Sequence, residues 1–173
     1  MRSKKNPRGL PTTPLDVKDG QESVWDYPRP PRWEKVSRRV TVTFGGRVIV
    51  DTTDAVRVLE TSHPPAYYLP ISAFAPGVLV PAEGSSFCEF KGRASYFDVV
   101  SGDDVAVKAA WSYPDPARGF DVLADRVSLY PGKMDRCEID GEVVVAQEGD
   151  FYGGWITSNI VGPFKGAPGT WGW

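Results

Sequence analysis

The run Arg39-Val40-Thr41-Val42-Thr43-Phe44-Gly45-Gly46-Arg47-Val48-Ile49-Val50 sets the fold class. Val40, Val42 and Phe44 alternate with polar neighbours, the period of a strand with one buried face. Gly45-Gly46 supplies the two positive-φ positions of a tight primed turn, and Val48 and Val50 resume the alternation on the return. The reading is an antiparallel hairpin. A second hairpin is expected from Arg93–Val99 and Val105–Ser112 across Ser101-Gly102-Asp103-Asp104. A third joins Asp135–Ile139 to Glu142–Ala146 through Asp140-Gly141, and Asp125–Tyr130 adds a strand. Helical signals are sparse. Ala55–Glu60 fits a short helix capped by Asp54 or a strand equally well, and Ile71–Phe74 fits one 3₁₀ turn after Pro70.

Composition sets the outer limits. The chain has 173 residues, enough for one well-buried domain, with 41% hydrophobic and 12% aromatic residues and many Gly and Pro. Lys+Arg of 20 against Asp+Glu of 22 leaves no strong basic surface, so neither nucleic acid nor an anionic membrane is an expected partner. No apolar run approaches the roughly 18 residues a membrane span needs. The basic start, Met1–Arg8, is followed by prolines and charges instead of an apolar core, so a cytoplasmic location is expected. Cys88 and Cys137 are too few for a disulfide scaffold and, with the single His63, too few for a structural zinc. Neither metal nor cofactor is expected.

Three segments follow from the same reading. Residues 1–22 are polar and aperiodic and read as a disordered arm. Residues 23–150 form the β domain, and 151–173 a Gly/Pro/aromatic strap packed on it. Within the domain, Trp25–Trp33 combines polyproline geometry with two tryptophans that require burial, so it is expected to lie on the domain as an extended strap.

The ionisable and aromatic residues concentrate in the middle third. Glu60-Thr61-Ser62-His63-Pro64-Pro65-Ala66-Tyr67-Tyr68-Leu69-Pro70, Cys88-Glu89-Phe90-Lys91-Gly92-Arg93-Ala94-Ser95-Tyr96 and Trp111-Ser112-Tyr113-Pro114-Asp115-Pro116 each set a few charges among rings and stiff prolines. Trp111 and Tyr113, two apart on a strand, share a face. A domain of this size seldom buries so many hydroxyls without partners, so Tyr67, Tyr68, Tyr96, Trp111 and Tyr113 are candidate ligand-facing rings. Lys91 beside Gly92 can present an ammonium to an anionic ligand or pair with Glu60. Glu60 and His63 would share a helix face and make a general base, or else order the Pro64-Pro65 turn. Cys88 reads as an inert thiol unless Lys91 activates it.

Taken together these signatures resemble the DUF427 family over about Trp33–Gln147. The residues that carry the likeness are Asp51-Thr52-Thr53-Asp54-Ala55, Glu60-x-x-His63-Pro64-Pro65-x-Tyr67-Tyr68-x-Pro70, Cys88-x-x-Lys91-Gly92-x-Ala94-x-Tyr96 and Ala110-Trp111-Ser112-Tyr113-x-x-Pro116. The aromatic straps resemble those of longer, actinobacterial-type members. The resemblance implies a mainly β fold, a single antiparallel β-tent similar to the thalidomide-binding domain of cereblon and to Yippee proteins. The paired C-x-x-C zinc ligands of those relatives do not occur in this chain. An old nucleotidyltransferase label of the family finds little support. Its only tempting piece, Ser101-Gly102-Asp103-Asp104, is ordinary turn chemistry, and no phosphate-cradling glycine motif is present.

The residues therefore point first to a small-molecule binding module with Glu60, Tyr67, Tyr68, Lys91, Tyr96, Trp111 and Tyr113 around an aromatic cleft. The alternatives are an enzyme using Glu60, His63 and Lys91, and a protein-interaction module. Unpaired sheet edges allow a homodimer.

Overall fold

The computed structural model describes residues 9–149 and 151–173. Its strands are β1 (Glu22–Ser23), β2 (Arg32–Val36), β3 (Val40–Phe44), β4 (Arg47–Thr52), β5 (Ala55–Leu59), β6 (Ala66–Pro70), β7 (Leu79–Cys88) and β8 (Gly92–Ser101). They continue as β9 (Asp104–Ser112), β10 (Arg126–Leu129), β11 (Arg136–Ile139), β12 (Glu142–Val143), β13 (Val145–Ala146), β14 (Trp155–Ile156) and β15 (Ile160–Val161). Short 3₁₀ turns, among them Ile71–Ala73 and Asp121–Leu123, are the helical elements of the described residues. The fold is mainly β, and no helix of the described residues is long and apolar enough to cross a membrane.

Two sheets carry the structure. One has seven strands in the order β2-β5-β6-β10-β9-β8-β7, the other four in the order β12-β11-β3-β4. All pairings in both are antiparallel. Val40, Val42, Phe44, Ile49 and Val50 of the smaller sheet meet Tyr67, Leu69, Val99, Ala109, Ala110, Val127 and Leu129 of the larger in one core.

The larger sheet is also apolar on its second face. There Val56, Val58, Tyr68, Ala94, Trp111 and Tyr113 pack with Phe120 and Leu123 from the Asp121–Leu123 turn region. A sheet buried on both faces must carry apolar residues on both, which is why β6 reads Ala-Tyr-Tyr-Leu without alternation.

The three expected hairpins form, the third over fewer residues than expected: its return strand pairs with β11 only at Glu142–Val143, and Val145–Ala146 pair with β14 instead. Gly45 and Gly46 have φ of 61° and 75°, as the primed turn demands, and a Cβ on Gly45 would meet the Ser101 carbonyl oxygen at 2.8 Å. The return strand departs from simple alternation. A register shift at Val42/Thr43 sets Val48 against Thr43 and Val50 against Val42, leaving Ile49 as the extra residue of a bulge. Ile49 and Val50 are consequently both buried and Val48 faces solvent. Ala55–Leu59 is a strand, paired with β2 on one side and β6 on the other.

Three strands of the larger sheet are not evident as such in the sequence. Arg32–Val36, whose first two residues end the expected Trp25–Trp33 strap, is the edge strand β2. Ala66–Pro70 follows Pro64-Pro65, whose turn signal hides it. Leu79–Cys88, the opposite edge, contains Pro81, Gly84 and two serines and is broken by a bulge between Pro81 and Ser85. Edge positions tolerate such residues.

Residues 1–8 of the expected N-terminal arm lie outside the described residues. The rest of that arm is tied to the C-terminal segment. Leu15 N–H donates to the Gly162 carbonyl at 3.0 Å, and β1 pairs in parallel with β15. Trp25, fixed by a 2.9 Å hydrogen bond from Nε1 to the Pro163 carbonyl, packs edge-on against Trp173. Further along, β14 pairs with β13 and inserts Trp155 between the two sheets, where it is fully buried against Tyr67.

Trp155→Ala should therefore lower the unfolding free energy by about 3–5 kcal/mol, as for large core truncations generally. Urea denaturation measures it, and a loss below about 1 kcal/mol would show that the C-terminal segment does not seal the core.

Candidate functional site

The second face of the larger sheet is only partly covered, and the uncovered part is a cleft of about 430 Å³. Its floor follows from strand register. Tyr68 is on β6, and Tyr96 of β8 lies directly across from Trp111 of β9. Tyr113 follows two residues on from Trp111, on the same face.

The rings contact one another in a chain. Tyr68 lies 6.5 Å from Trp111, edge to face, and 6.2 Å from Tyr113, while Trp111 stacks obliquely on Tyr130 at 4.6 Å. Their polar tips are partly satisfied internally. Trp111 Nε1 donates to the Tyr68 hydroxyl at 3.3 Å, and Ser86 Oγ and Tyr96 Oη share a 2.6 Å bond. Burial, with Tyr68 and Cys88 alongside, pushes the Tyr113 phenol well above its ordinary range.

Lys91 stands at one end. It lies in the turn joining β7 to β8, and Gly92 has φ of 106°. A Cβ on Gly92 would press on Ala117 N at 3.1 Å, so the glycine lets the Asp115–Ala117 loop seat against the turn. Ala117 N–H then donates to the Lys91 carbonyl at 2.8 Å, fixing the backbone from which the side chain projects. Its Nζ lies 5.6 Å from the centre of the Tyr113 ring. Burial penalises the ammonium, but Tyr68, Cys88 and Glu60 outweigh that and hold its pKa above the ordinary value.

The turn Glu60–His63 also borders the cleft, closed by His63 N–H to the Glu60 carbonyl at 3.0 Å. Both terminal segments clamp it: Ser62 N–H donates to the Val24 carbonyl, and Lys165 N–H to that of Ser62. Glu60 Oε2 lies 3.3 Å from both Arg29 Nη2 and His63 Nε2.

Gln147 fixes the histidine tautomer. Its Oε1 accepts from Gly154 N–H, which turns its amide nitrogen to the Lys165 carbonyl at 2.6 Å and to His63 Nδ1 at 3.4 Å. His63 Nδ1 is then the acceptor and Nε2 carries the proton towards Glu60. Burial raises the Glu60 pKa, but the hydrogen bond from His63 and the positive charges of Lys91 and Arg29 overcome it and hold the carboxyl below its ordinary value.

The structure brings six of the seven expected ligand-facing residues to the cleft: Glu60, Tyr68, Lys91, Tyr96, Trp111 and Tyr113. Tyr67 goes elsewhere. Adjacent strand residues point to opposite faces, so with Tyr68 turned to the cleft, Tyr67 is committed to the core between the sheets. Nor does the alternative Lys91–Glu60 ion pair form within 4.0 Å; the carboxylate pairs with Arg29 and His63 instead. His63 and Cys88 also line the cleft. The Gly102-Asp103 segment is a hairpin turn, closed by the Ser101–Asp104 pair. Among the described residues no group of three or more His, Cys, Asp and Glu side chains is arranged to hold a metal ion.

A family comparison matches residues 32–140 to a domain of unknown function (DUF427). The chain belongs to the DUF427 family. No curated protein matches the chain. The DUF427 region supplies the floor of the cleft, Lys91 and the Glu60–His63 turn. Gln147, Tyr152, Gly153 and Lys165, which complete the walls, lie beyond it.

These late residues were missed in the sequence, although Gly153-Gly154 was a usable signal. A Cβ on Gly153 would come within 2.2 Å of Trp111 Cη2, and one on Gly154 within 2.5 Å of Gln147 Oε1 and 2.9 Å of the Pro64 carbonyl. The segment approaches the DUF427 floor so closely that only glycine fits.

Gly153→Ala should therefore cost about 1–3 kcal/mol by overpacking, seen in urea denaturation and as a shifted tryptophan emission; an unchanged protein would place this wall farther from Trp111. Glu60 gives a pH signature. Its folded pKa is depressed, so its contribution to stability is present above its unfolded pKa and is lost as pH falls through the folded value. The stability gap between wild type and Glu60→Gln should be widest at neutral pH and narrow in acid. A gap independent of pH would rule out an ionised, paired Glu60.

Proposed function

We propose that this DUF427 protein is a small-molecule binding module that holds a cyclic or planar ligand against its aromatic cleft. The observation that carries the reading is the cleft itself. Side chains normally close such space to crystal-like density. Here some 430 Å³ remains beside Tyr68, Tyr96, Trp111 and Tyr113, although Tyr68 contacts the rings of Trp111 and Tyr113 and the tips of Trp111, Tyr68 and Tyr96 are hydrogen-bonded. A concave, largely apolar space with a few convergent polar groups is what small ligands occupy.

The alternative of acid–base catalysis by Glu60, His63 and Lys91 has less geometric support. A general base needs a lone pair free to reach substrate. His63 Nδ1 faces the Gln147 amide and Nε2 faces Glu60, which also pairs with Arg29. Glu60 and His63 thus hold the clamp between the turn and the C-terminal segment. The free thiols of Cys88 and Cys137 fit the reducing cytoplasmic setting expected from the sequence.

Native mass spectrometry of freshly purified protein tests the proposal. A bound small molecule, released on denaturation and lost from a folded Trp111→Leu variant, is the expected result. Empty spectra in repeated preparations, with no thermal shift across a library of aromatic compounds, would contradict it. A bound species that is chemically converted by wild type but not by His63→Asn would support the enzymatic alternative instead.

A further inference from the structure

Resting on that reading, we infer that the ligand is a planar aromatic monoacid, a carboxylate in the simplest case, whose acidic group sits at the Lys91 ammonium. Lys91 is the cation of the cleft whose donors are unused. Among the described residues its Nζ makes no hydrogen bond and no ion pair within 4.0 Å, and its one specific contact is the face of Tyr113. The N–H donors of a partly buried ammonium call for acceptors, which an acidic group of a ligand supplies.

The neighbouring charges are already committed. Glu60 belongs to Arg29 and His63, and Lys165 Nζ donates to the Trp173 carbonyl at 3.1 Å while lying 5.8 Å from the Tyr152 ring. Lys91 is thus the cleft lysine with donors left to give, and one acidic group takes them up. Glu89, exposed on the Lys91 turn and also at the cleft, opposes a second acidic group there.

The same inventory argues against a phosphorylated ligand. Phosphate sites draw on arginine forks, helix N-termini or nests of backbone N–H groups. No arginine lines the cleft, and the described residues contain no α-helix to point at it. The rest of the lining, Trp111, Tyr113, Tyr68 and Tyr96 with Val58 and Ala66, suits the faces and edges of a flat ring.

The inference separates from its premise in one titration series. Isothermal titration calorimetry compares 2-naphthoate, the neutral isostere 2-naphthamide and adenosine 5′-monophosphate on wild type and on Lys91→Met, with circular dichroism to confirm that the variant is folded. The expected result is that naphthoate binds wild type at least tenfold more tightly than the other two, and that Lys91→Met removes that advantage by weakening naphthoate far more than naphthamide. A charge-assisted hydrogen bond accounts for about that factor.

Equal binding of naphthoate and naphthamide would overturn the acid inference and leave the aromatic binding module standing. Preference for the nucleotide, or a naphthoate affinity indifferent to Lys91→Met, would overturn it as well. Failure of all three compounds to bind would count against both.

Discussion

Adjacent residues of a strand cannot face the same way, and at Tyr67-Tyr68 this constraint divides the molecule in two. Tyr67 enters the core between the sheets, against Trp155, and Tyr68 enters the cleft, against Trp111 and Tyr113. A one-residue slip of β6 would reverse the faces of the two rings and take both from these partners. The register is held by β5 on one side, where Val56 pairs with Tyr68, and by β10 on the other, where Val127 pairs with Leu69. The large sheet thus has two apolar faces but only one covering sheet. Its second face is closed in part by the Asp121–Leu123 turn region and in part by the chain beyond residue 147.

That second cover explains the polar residues at the site. The C-terminal segment has little regular structure, so its backbone groups need partners from side chains and turns. Gln147 supplies three contacts, to Gly154, Lys165 and His63, and the Glu60–His63 turn receives Lys165 N–H. The glutamate and histidine that look catalytic in isolation therefore work as a fastening between two ends of the chain. Lys91 has no such employment, which is why it, and not His63, carries the functional argument. The same geometry explains how the DUF427 region provides a floor and a charge while residues beyond it shape the walls.

Legibility in the sequence followed the range of the interactions. Hairpins were readable because turn chemistry is local: Gly45-Gly46, Gly102-Asp103 and Asp140-Gly141 all lie at observed turns. Strands whose identity depends on distant neighbours were not. β7 keeps its ten residues despite Pro81 and Gly84 because it pairs along β8 at an edge. β2 is a strand because Trp33 pairs with Val58, which a proline-rich sequence around it conceals. The cleft residues were legible as a composition, rings and charges close together, yet nothing local distinguishes Tyr67 from Tyr68. The contributions of Gln147, Gly153 and Lys165 depend on a fold-back of the chain that no periodicity announces.

The rings of the second face leave room for a guest instead of closing on one another. A crystal structure of the protein grown with 2-naphthoate tests this. Ordered density for a flat molecule against Trp111 and Tyr113, with its acidic end at Lys91 Nζ, is expected. A cleft filled by its own side chains, with Trp111 or Tyr152 collapsed into the space and no guest present, would contradict it.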